Sequence, residues 1–201
     1  MTPRASGVWM SSNNAASPTP PQRIKVWDVL VRTLHWLLVV SVALSWLSTV
    51  FFGWTDVHRP AGYVALAIVL LRTVWGFTGS HYARFREFIR PLRMVRQYAH
   101  ELLGRREPRY IGHNPLGGWM ILALLGTVMF TCMTGWLFTT DTFWGIRWVK
   151  ILHEASAWLL LGLAALHVGG VLVTSIRHRE NLVAAMITGR KTSPQQSDQA
   201  L

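Results

Sequence analysis

The chain is poor in charged residues and especially poor in acids. Of its 201 residues, 14% are charged, and only nine are Asp or Glu against 20 Lys or Arg. An average soluble domain carries about a quarter charged residues, whereas 51% of this chain is hydrophobic. The chain has a single cysteine, Cys132, which excludes an intrachain disulfide, and we expect its thiol to be a small packed side chain. The shortage of charge excludes an ordinary soluble domain.

Long hydrophobic runs take the place of the missing charge. Four of them are long enough to cross a bilayer, at residues 29–50, 61–79, 116–138 and 154–176. We therefore predict an all-α membrane protein, a four-helix transmembrane bundle formed as one domain by residues 25–191. The tail at residues 1–24, rich in Ser, Asn and Pro, and the tail at 192–201 are expected to be disordered.

Positive charge is distributed unevenly among the connections. Eight arginines lie in segment 80–115, between the second and third runs, and other basic residues flank both ends of the domain. The remaining two connections carry only Arg59, Arg147 and Lys150. The positive-inside rule therefore predicts a multi-pass protein of the bacterial inner membrane with cytoplasmic termini and a cytoplasmic segment 80–115. Because membrane orientation accounts for the net charge of +11, we expect no nucleic-acid partner.

The arginine-rich segment has an amphipathic pattern of its own. Apolar and aromatic residues recur at three- and four-residue steps from Tyr82 to Leu103, with arginines between them. This pattern predicts an interfacial pair of amphipathic helices, interrupted at Pro91 and lying on anionic membrane lipid. A solvated basic loop, or a docking surface for an acidic partner, would have a similar pattern.

Histidines recur within the hydrophobic runs. His153 and His167 lie 167 − 153 = 14 residues apart, which is ~1400° of helical rotation, so both face the same side, roughly 21 Å apart along the axis. With the predicted orientation, His35 lies at the depth of His167, and His58 lies at the depth of His153. The sequence therefore predicts two facing pairs at opposite sides of the membrane, His35 with His167 and His58 with His153.

Paired neutral imidazoles are suited to hold the iron of a haem from both sides. Two such pairs predict two six-coordinate haem b groups and a path for electrons across the membrane. The absence of a C-x-x-C-H motif excludes a covalently attached c-type haem. A single histidine in a membrane helix could equally form a hydrogen bond across the bundle. The four remaining histidines are expected to be solvated: His81, His100, His113 and His178.

Arginine and glycine residues near these histidines are further candidates for the cofactor sites. Arg72 lies inside the second run, 72 − 58 = 14 residues after His58, and would sit near the depth of His167. A buried arginine needs an anion, and a propionate of the inner haem is suitable; a quinone site or snorkelling to the surface are the alternatives. Arg32, one turn before His35, is a second candidate for the same haem. Gly62, one turn after His58, could leave room for a flat ring.

Several short motifs resemble those of the bacterial cytochrome b561 family and of the related b-type cytochrome subunits of nickel–iron hydrogenases. They are VWDVLVRTLHW, HRPAGY, GHNPLGGWM and the LHE…LH of the fourth run, and the resemblance extends over roughly residues 25–191. It implies a four-helix bundle with two haems b that exchanges electrons between the quinone pool and a partner. It also implies that His35, His58, His153 and His167 are the haem ligands.

The leading hypothesis is electron transfer through two b haems. The electrons would pass between ubiquinone or menaquinone and an outer-side redox partner, either a periplasmic cytochrome c or a hydrogenase-like protein. One alternative is a stand-alone superoxide:quinone oxidoreductase, in which Arg59, Arg147 and Lys150 would steer an anion. A more distant alternative is a metal or proton transporter that uses the histidines as relay sites.

Overall fold

Four long helices form the body of the protein. The computed structural model describes residues 23–192. Within this range the long helices are α1 (Val29–Leu47, extended by a π-helical turn at Ser48–Phe52), α2 (Thr55–Thr78), α5 (Pro115–Phe138) and α6 (Arg147–Arg177). All four are long and apolar enough to cross a membrane. The predicted transmembrane bundle is therefore confirmed.

The sequence placed two helix starts too late. Helix α2 begins at Thr55 rather than near residue 61, so Pro60 lies inside it. Helix α6 begins at Arg147, so His153 lies in its second turn. The polar residues at these starts lowered the hydropathy that marked the runs, although they continue the same helices. The start of α5 is as predicted, because Pro115 is its first residue and the Asn114 side chain accepts a hydrogen bond from Gly117 N at 2.6 Å.

The helices pack in sequence around a small apolar centre. Helix α1 packs against α2, α2 against α5, and α5 against α6. Val69, Val128 and Leu160, from α2, α5 and α6, form the buried centre, and Leu38 and Val42 of α1 pack against it. The outward faces stay apolar, with large side chains exposed as lipid-facing surfaces require. Cys132 packs against the same centre and donates to Gly62 O at 3.5 Å, so it is the packed side chain that we predicted.

A short β-ribbon joins the two ends of the domain. Strands β1 (Arg23–Lys25) and β2 (Arg190–Thr192) pair antiparallel, with Ile24 opposite Lys191. The sequence pattern did not predict this ribbon, and residues 23, 24 and 192 had been expected in disordered tails. The rest of those predicted tails lies outside the described residues. Because the ribbon joins the start of α1 to the short helix α7 (Leu182–Thr188) after α6, both ends of the domain lie on the same side of the bundle.

The segment between α2 and α5 is helical, as predicted. It contains a 3-10 turn (His81–Ala83), the one-turn helix α3 (Phe85–Phe88) and helix α4 (Leu92–Leu103), with Pro91 immediately before α4. Tyr98 of α4 is buried at 3% exposure, whereas Arg93 and Arg96 are exposed. Helix α4 therefore buries Tyr98 while its arginines stay exposed, and it contacts α5.

Candidate functional site

The structure brings His58 of α2 and His153 of α6 together. Their ring centroids lie 5.9 Å apart, and the ring planes are nearly perpendicular at 86°. Both side chains are half-buried near the same end of the bundle. The predicted juxtaposition of these two residues, 95 positions apart in sequence (153 − 58 = 95), is thus present in the fold.

Each of these imidazoles is held through one ring nitrogen. His58 Nδ1 lies 2.8 Å from Ser45 O and 2.8 Å from Thr49 Oγ1. His153 Nδ1 lies 2.9 Å from Thr131 O. A carbonyl oxygen can only accept, so each histidine donates its Nδ1–H, and the neutral tautomer with that proton has its lone pair on Nε2. This is the arrangement that metal-ligating histidines use, in which a backbone carbonyl fixes the tautomer and the ring orientation.

A cavity surrounds this histidine pair. The cavity is partly open at the bundle surface, and its non-atom space, open part included, is about 750 Å³. Its walls are mostly apolar and include Gly62, as the sequence suggested, together with Trp46 and Leu161. Arg59, one of the basic residues considered for the outer side, also lines the cavity. A flat apolar cofactor with polar groups at one edge fits such a lining.

Gly135 is required beside His153. A Cβ atom at this position would lie 2.8 Å from His153 Cε1 and 3.1 Å from His153 Nδ1. Optimal carbon–carbon contacts are about 3.5–4.0 Å, so the ring occupies space that only glycine leaves free. At Gly62, in contrast, the nearest atom to an added Cβ is Ser45 Oγ at 3.8 Å, an ordinary contact.

The second predicted pair, His35 of α1 and His167 of α6, lies toward the ribbon end of the bundle. The two half-buried imidazoles are within electrostatic range of each other, and Arg72 of α2 is within the same range of His35. His167 and Arg72, which sequence reasoning assigned to the depth of His35, are therefore each within electrostatic range of it.

Arg72 and Arg32 each have a buried nitrogen without a partner. Arg72 is only 8% exposed; its Nη2 donates to Ala83 O at 3.3 Å, while its Nη1 is buried and unpaired among the described residues. Arg32 donates through Nη1 to Ile187 O, and its buried Nε likewise has no partner there. Because burying an unpaired cationic donor is costly, both side chains fit a site that receives an anion.

His113 is not solvated, contrary to the prediction. Its ring centroid lies 4.5 Å from that of Trp27 and 4.9 Å from that of Phe88, and its Nδ1 is buried without a partner among residues 23–192. Burial, followed by the charges of Lys191 and Arg72, lowers the pKa of His113 to about 3, so the ring is neutral at physiological pH. The sequence pattern missed this burial because Trp27 and Phe88, which pack against His113, are distant from it in sequence.

Several site residues had no clear signal in the sequence. Ser45 and Thr131 act through their backbone carbonyls, which any residue carries. Gly135 was one of many glycines in the runs, and its three-dimensional relation to His153 was needed to single it out. Lys191, 6% exposed, was one of several basic residues that flank the domain, and nothing in the sequence set it apart.

Relatives of this chain are found along most of its length. The probable Ni/Fe-hydrogenase B-type cytochrome subunit of Rhizobium leguminosarum bv. viciae is 22% identical over 221 residues, covering 88% of this chain and 92% of that protein. Its counterpart from Azotobacter vinelandii is 25% identical over 211 residues (83% and 87%). The probable Ni/Fe-hydrogenase 1 B-type cytochrome subunit of Escherichia coli K12 is 22% identical over 214 residues (83% and 90%).

No solved structure matches the chain significantly. The family profile described as Prokaryotic cytochrome b561 matches residues 26–189, which include the four long helices and all the histidines described above. The chain therefore belongs to the prokaryotic cytochrome b561 family, whose members are b-type cytochromes that carry electrons in membranes.

Proposed function

We propose that this chain carries electrons across the membrane through two b haems, an outer one between His58 and His153 and an inner one between His35 and His167. The observation that carries the proposal is the outer pair, in which two facing imidazoles have their Nδ1–H groups tied to backbone carbonyls. That arrangement leaves both Nε2 atoms available as ligands. A histidine pair formed only for packing would have no need of two fixed tautomers.

The lining of the outer cavity fits a haem. Apolar walls would cover the porphyrin faces, and the exposed Arg59 at the cavity lies where a propionate could pair with it. A haem b held there by His58 and His153 would supply a one-electron iron couple. The protein itself orients the two imidazoles, and its apolar lining would exclude water from the haem.

The inner site fits the same kind of group. Arg72, whose buried Nη1 has no partner among residues 23–192, is within electrostatic range of His35. Arg32, whose buried Nε likewise lacks a partner there, precedes His35 by one turn of α1. Haem propionates are carboxylates that would satisfy such donors by charge-assisted hydrogen bonds. We therefore assign Arg72 and Arg32 to the inner haem, and Gly62 to the wall of the outer one.

The two sites together form a continuous route. His153 and His167 lie on one helix, roughly 21 Å apart by the helical rise, and the apolar centre around Val69, Val128 and Leu160 lies between the two levels. Since haem edges extend well beyond the iron atoms, no further cofactor is required between them. The relatives are Ni/Fe-hydrogenase cytochrome subunits, so the favoured outer partner is a hydrogenase-like protein, with a periplasmic cytochrome c as the alternative and ubiquinone or menaquinone as the other reactant.

Membrane orientation follows from the positive charges. The ribbon places both ends of the domain at the end of the bundle that also carries α4, and this end has most of the arginines. The positive-inside rule assigns it to the cytoplasm. Helix α4 then lies at the inner interface, where the exposed Arg93 and Arg96 would contact anionic lipid headgroups.

A direct electron-transfer experiment tests this function. The purified full-length protein is reduced anaerobically and mixed with a soluble quinone in a stopped-flow spectrometer, with absorbance followed at the haem bands. We expect reoxidation of both haems in the wild type and, in His153→Ala, a protein that retains the inner haem and still reacts with quinone. Failure of the reduced wild-type protein to pass electrons to any quinone would contradict the proposed quinone reactant.

The superoxide alternative predicts a reaction without a partner. Of the three outer cations that would steer superoxide, Lys150 already pairs with Glu154 at 3.7 Å, which weakens that attraction. Quinone reduction driven by enzymatically generated superoxide alone would favour this alternative. Metal transport is disfavoured because, within residues 23–192, no group of three or more His, Cys, Asp or Glu side chains is arranged to hold a metal ion.

A further inference from the structure

Among the described residues, two cations are buried at the ribbon end of the bundle. Lys191 is 6% exposed, with Nζ 5.9 Å from the centroid of the Trp27 ring, and Arg72 is 8% exposed. Burial lowers the pKa of Lys191. Since a buried cation is stable only with a partner of opposite charge, the nearby carboxylates decide whether these cations are satisfied.

The carboxylates of this region are already engaged by other donors. Asp28 accepts hydrogen bonds from Val31 N at 2.7 Å, from Trp75 Nε1 at 3.1 Å and from the Ser80 hydroxyl. Glu180 accepts from Arg109 Nη2 at 3.2 Å and from Thr192 N at 3.1 Å. Both acids lie only within electrostatic range of the buried cations, Asp28 of Arg72 and Glu180 of Lys191.

His113 lies within this group of cations. Lys191, Arg72, His167 and His35 are all within electrostatic range of its ring. The Trp27 and Phe88 rings hold the imidazole from two sides, while its buried Nδ1 has no partner among the described residues. A neutral imidazole fixed in this way can donate one N–H to an anion. A side chain that served only to fill apolar space would not need the hydrogen-bonding nitrogens of an imidazole.

We propose that His113 and Lys191 are positioning residues for the inner haem, completing with Arg72 and Arg32 the site that binds its propionates. This inference rests on the proposed inner haem and adds two residues that helical spacing could not indicate, because both lie outside the transmembrane helices. Arg72 and Arg32 come from the transmembrane helices, whereas His113 and Lys191 come from the segment before α5 and from strand β2. The ribbon therefore contributes positive charge to a redox centre in addition to joining the ends of the domain.

The expected consequence is a higher reduction potential of the inner haem. A positive charge beside the propionates stabilises the reduced state, because reduction adds one electron to the centre. Replacing Lys191 with the apolar Met removes that charge and lowers the inner potential. Replacing Lys191 with Arg retains the charge, and replacing His113 with Phe retains an aromatic ring beside Trp27 and Phe88 while removing its hydrogen-bonding nitrogens.

The experiment is an optical redox titration of the purified, haem-loaded, full-length protein. It is carried out in the His58→Ala background, in which the remaining haem is the inner one, and in the wild type. We expect Lys191→Met to shift the inner equilibrium about tenfold toward the oxidised form, which is 59 mV for one electron. We expect His113→Phe to lower the potential of the inner haem as well, and Lys191→Arg to keep it at the wild-type value. Lys25→Met, an exposed site on the other strand of the ribbon, is the matched control and should change nothing.

Each outcome bears on the inference. Loss of the inner haem from Lys191→Met, with the outer haem and helical content retained in the wild-type background, also supports it. Unchanged inner potentials in both Lys191→Met and His113→Phe would overturn it, as would equal shifts of both haems. The proposed function would fail in a different way, through a wild-type protein that does not bind two haems in the first place.

Discussion

Adding one methyl group at Gly135 should remove the outer haem. In Gly135→Ala the new Cβ would lie 2.8 Å from His153 Cε1, about 0.7 Å inside the shortest optimal carbon–carbon contact of about 3.5 Å. The imidazole must move by a comparable distance, whereas metal–ligand distances tolerate only about 0.2 Å. Because the same atom would lie 3.1 Å from Nδ1, the movement also disturbs the hydrogen bond to Thr131 O.

The control for this substitution is on the same helix. At Gly126 an added Cβ meets nothing within 4 Å, so Gly126→Ala should retain both haems. Alanine is favoured over glycine in a helix by up to about 1 kcal/mol, so helix propensity cannot explain a loss in Gly135→Ala. Haem is counted per chain as the pyridine haemochrome, and we expect a fall from two toward one only in Gly135→Ala. Two haems with unchanged spectra and potentials in that variant would refute the reasoning.

Three further predictions concern the inner end of the bundle. Arg72→Leu should lower the haem count toward one or, if both haems stay bound, lower the reduction potential of the inner haem by about 59 mV, a tenfold change in the equilibrium constant. A redox titration measures the potential, and unchanged haem content and potentials would contradict the assigned anion site. Burial raises the pKa of Asp28, but hydrogen bonds from Ser80, Val31 and Trp75 outweigh it and leave a lowered pKa. Asp28→Asn should therefore reduce the thermal stability at pH 7. The difference in stability between wild type and variant should vanish as the pH falls through the lowered pKa of Asp28, which is below the unfolded value of about 3.9. A constant difference down to pH 2 would be inconsistent with this. In nanodiscs, Arg93→Gln/Arg96→Gln should lose part of the stabilisation that anionic lipid gives, by about 1 kcal/mol per arginine, and equal lipid dependence of both proteins would argue against the interfacial position of α4.

Much of the bundle was predictable because its signals are local. Spanning helices require long apolar runs, and histidines that share a helix face are recognised from spacing alone. The juxtaposition of His58 and His153 also followed from topology, since the positive-inside rule assigned their helices a common direction. The starts of α2 and α6 were misplaced because polar residues such as Asp56 and Arg147 belong to the helices but not to the apolar runs.

The remaining features depend on contacts between distant segments. The ribbon pairs residues 23–25 with 190–192. Strands of three residues are too short to show the alternation of apolar and polar residues by which a strand is recognised in a sequence. His113 was predicted to be solvated because it lies in a cytoplasmic flank of the hydrophobic runs, but Trp27 and Phe88 pack against it from elsewhere in the chain. Backbone carbonyls such as Ser45 O have no sequence signature at all, so the fixed tautomers of the outer histidines could be recognised only from the structure.

The most direct test of the two-haem proposal is a reduced-minus-oxidised absorption spectrum of the detergent-purified protein, with haem counted as the pyridine haemochrome. The account predicts b-type bands and two haems per chain, with one lost in His153→Ala, which should leave the inner haem, and one lost in His167→Ala, which should leave the outer haem. A wild-type protein with one haem that is insensitive to His58→Ala and His153→Ala would contradict the assignment of the outer pair.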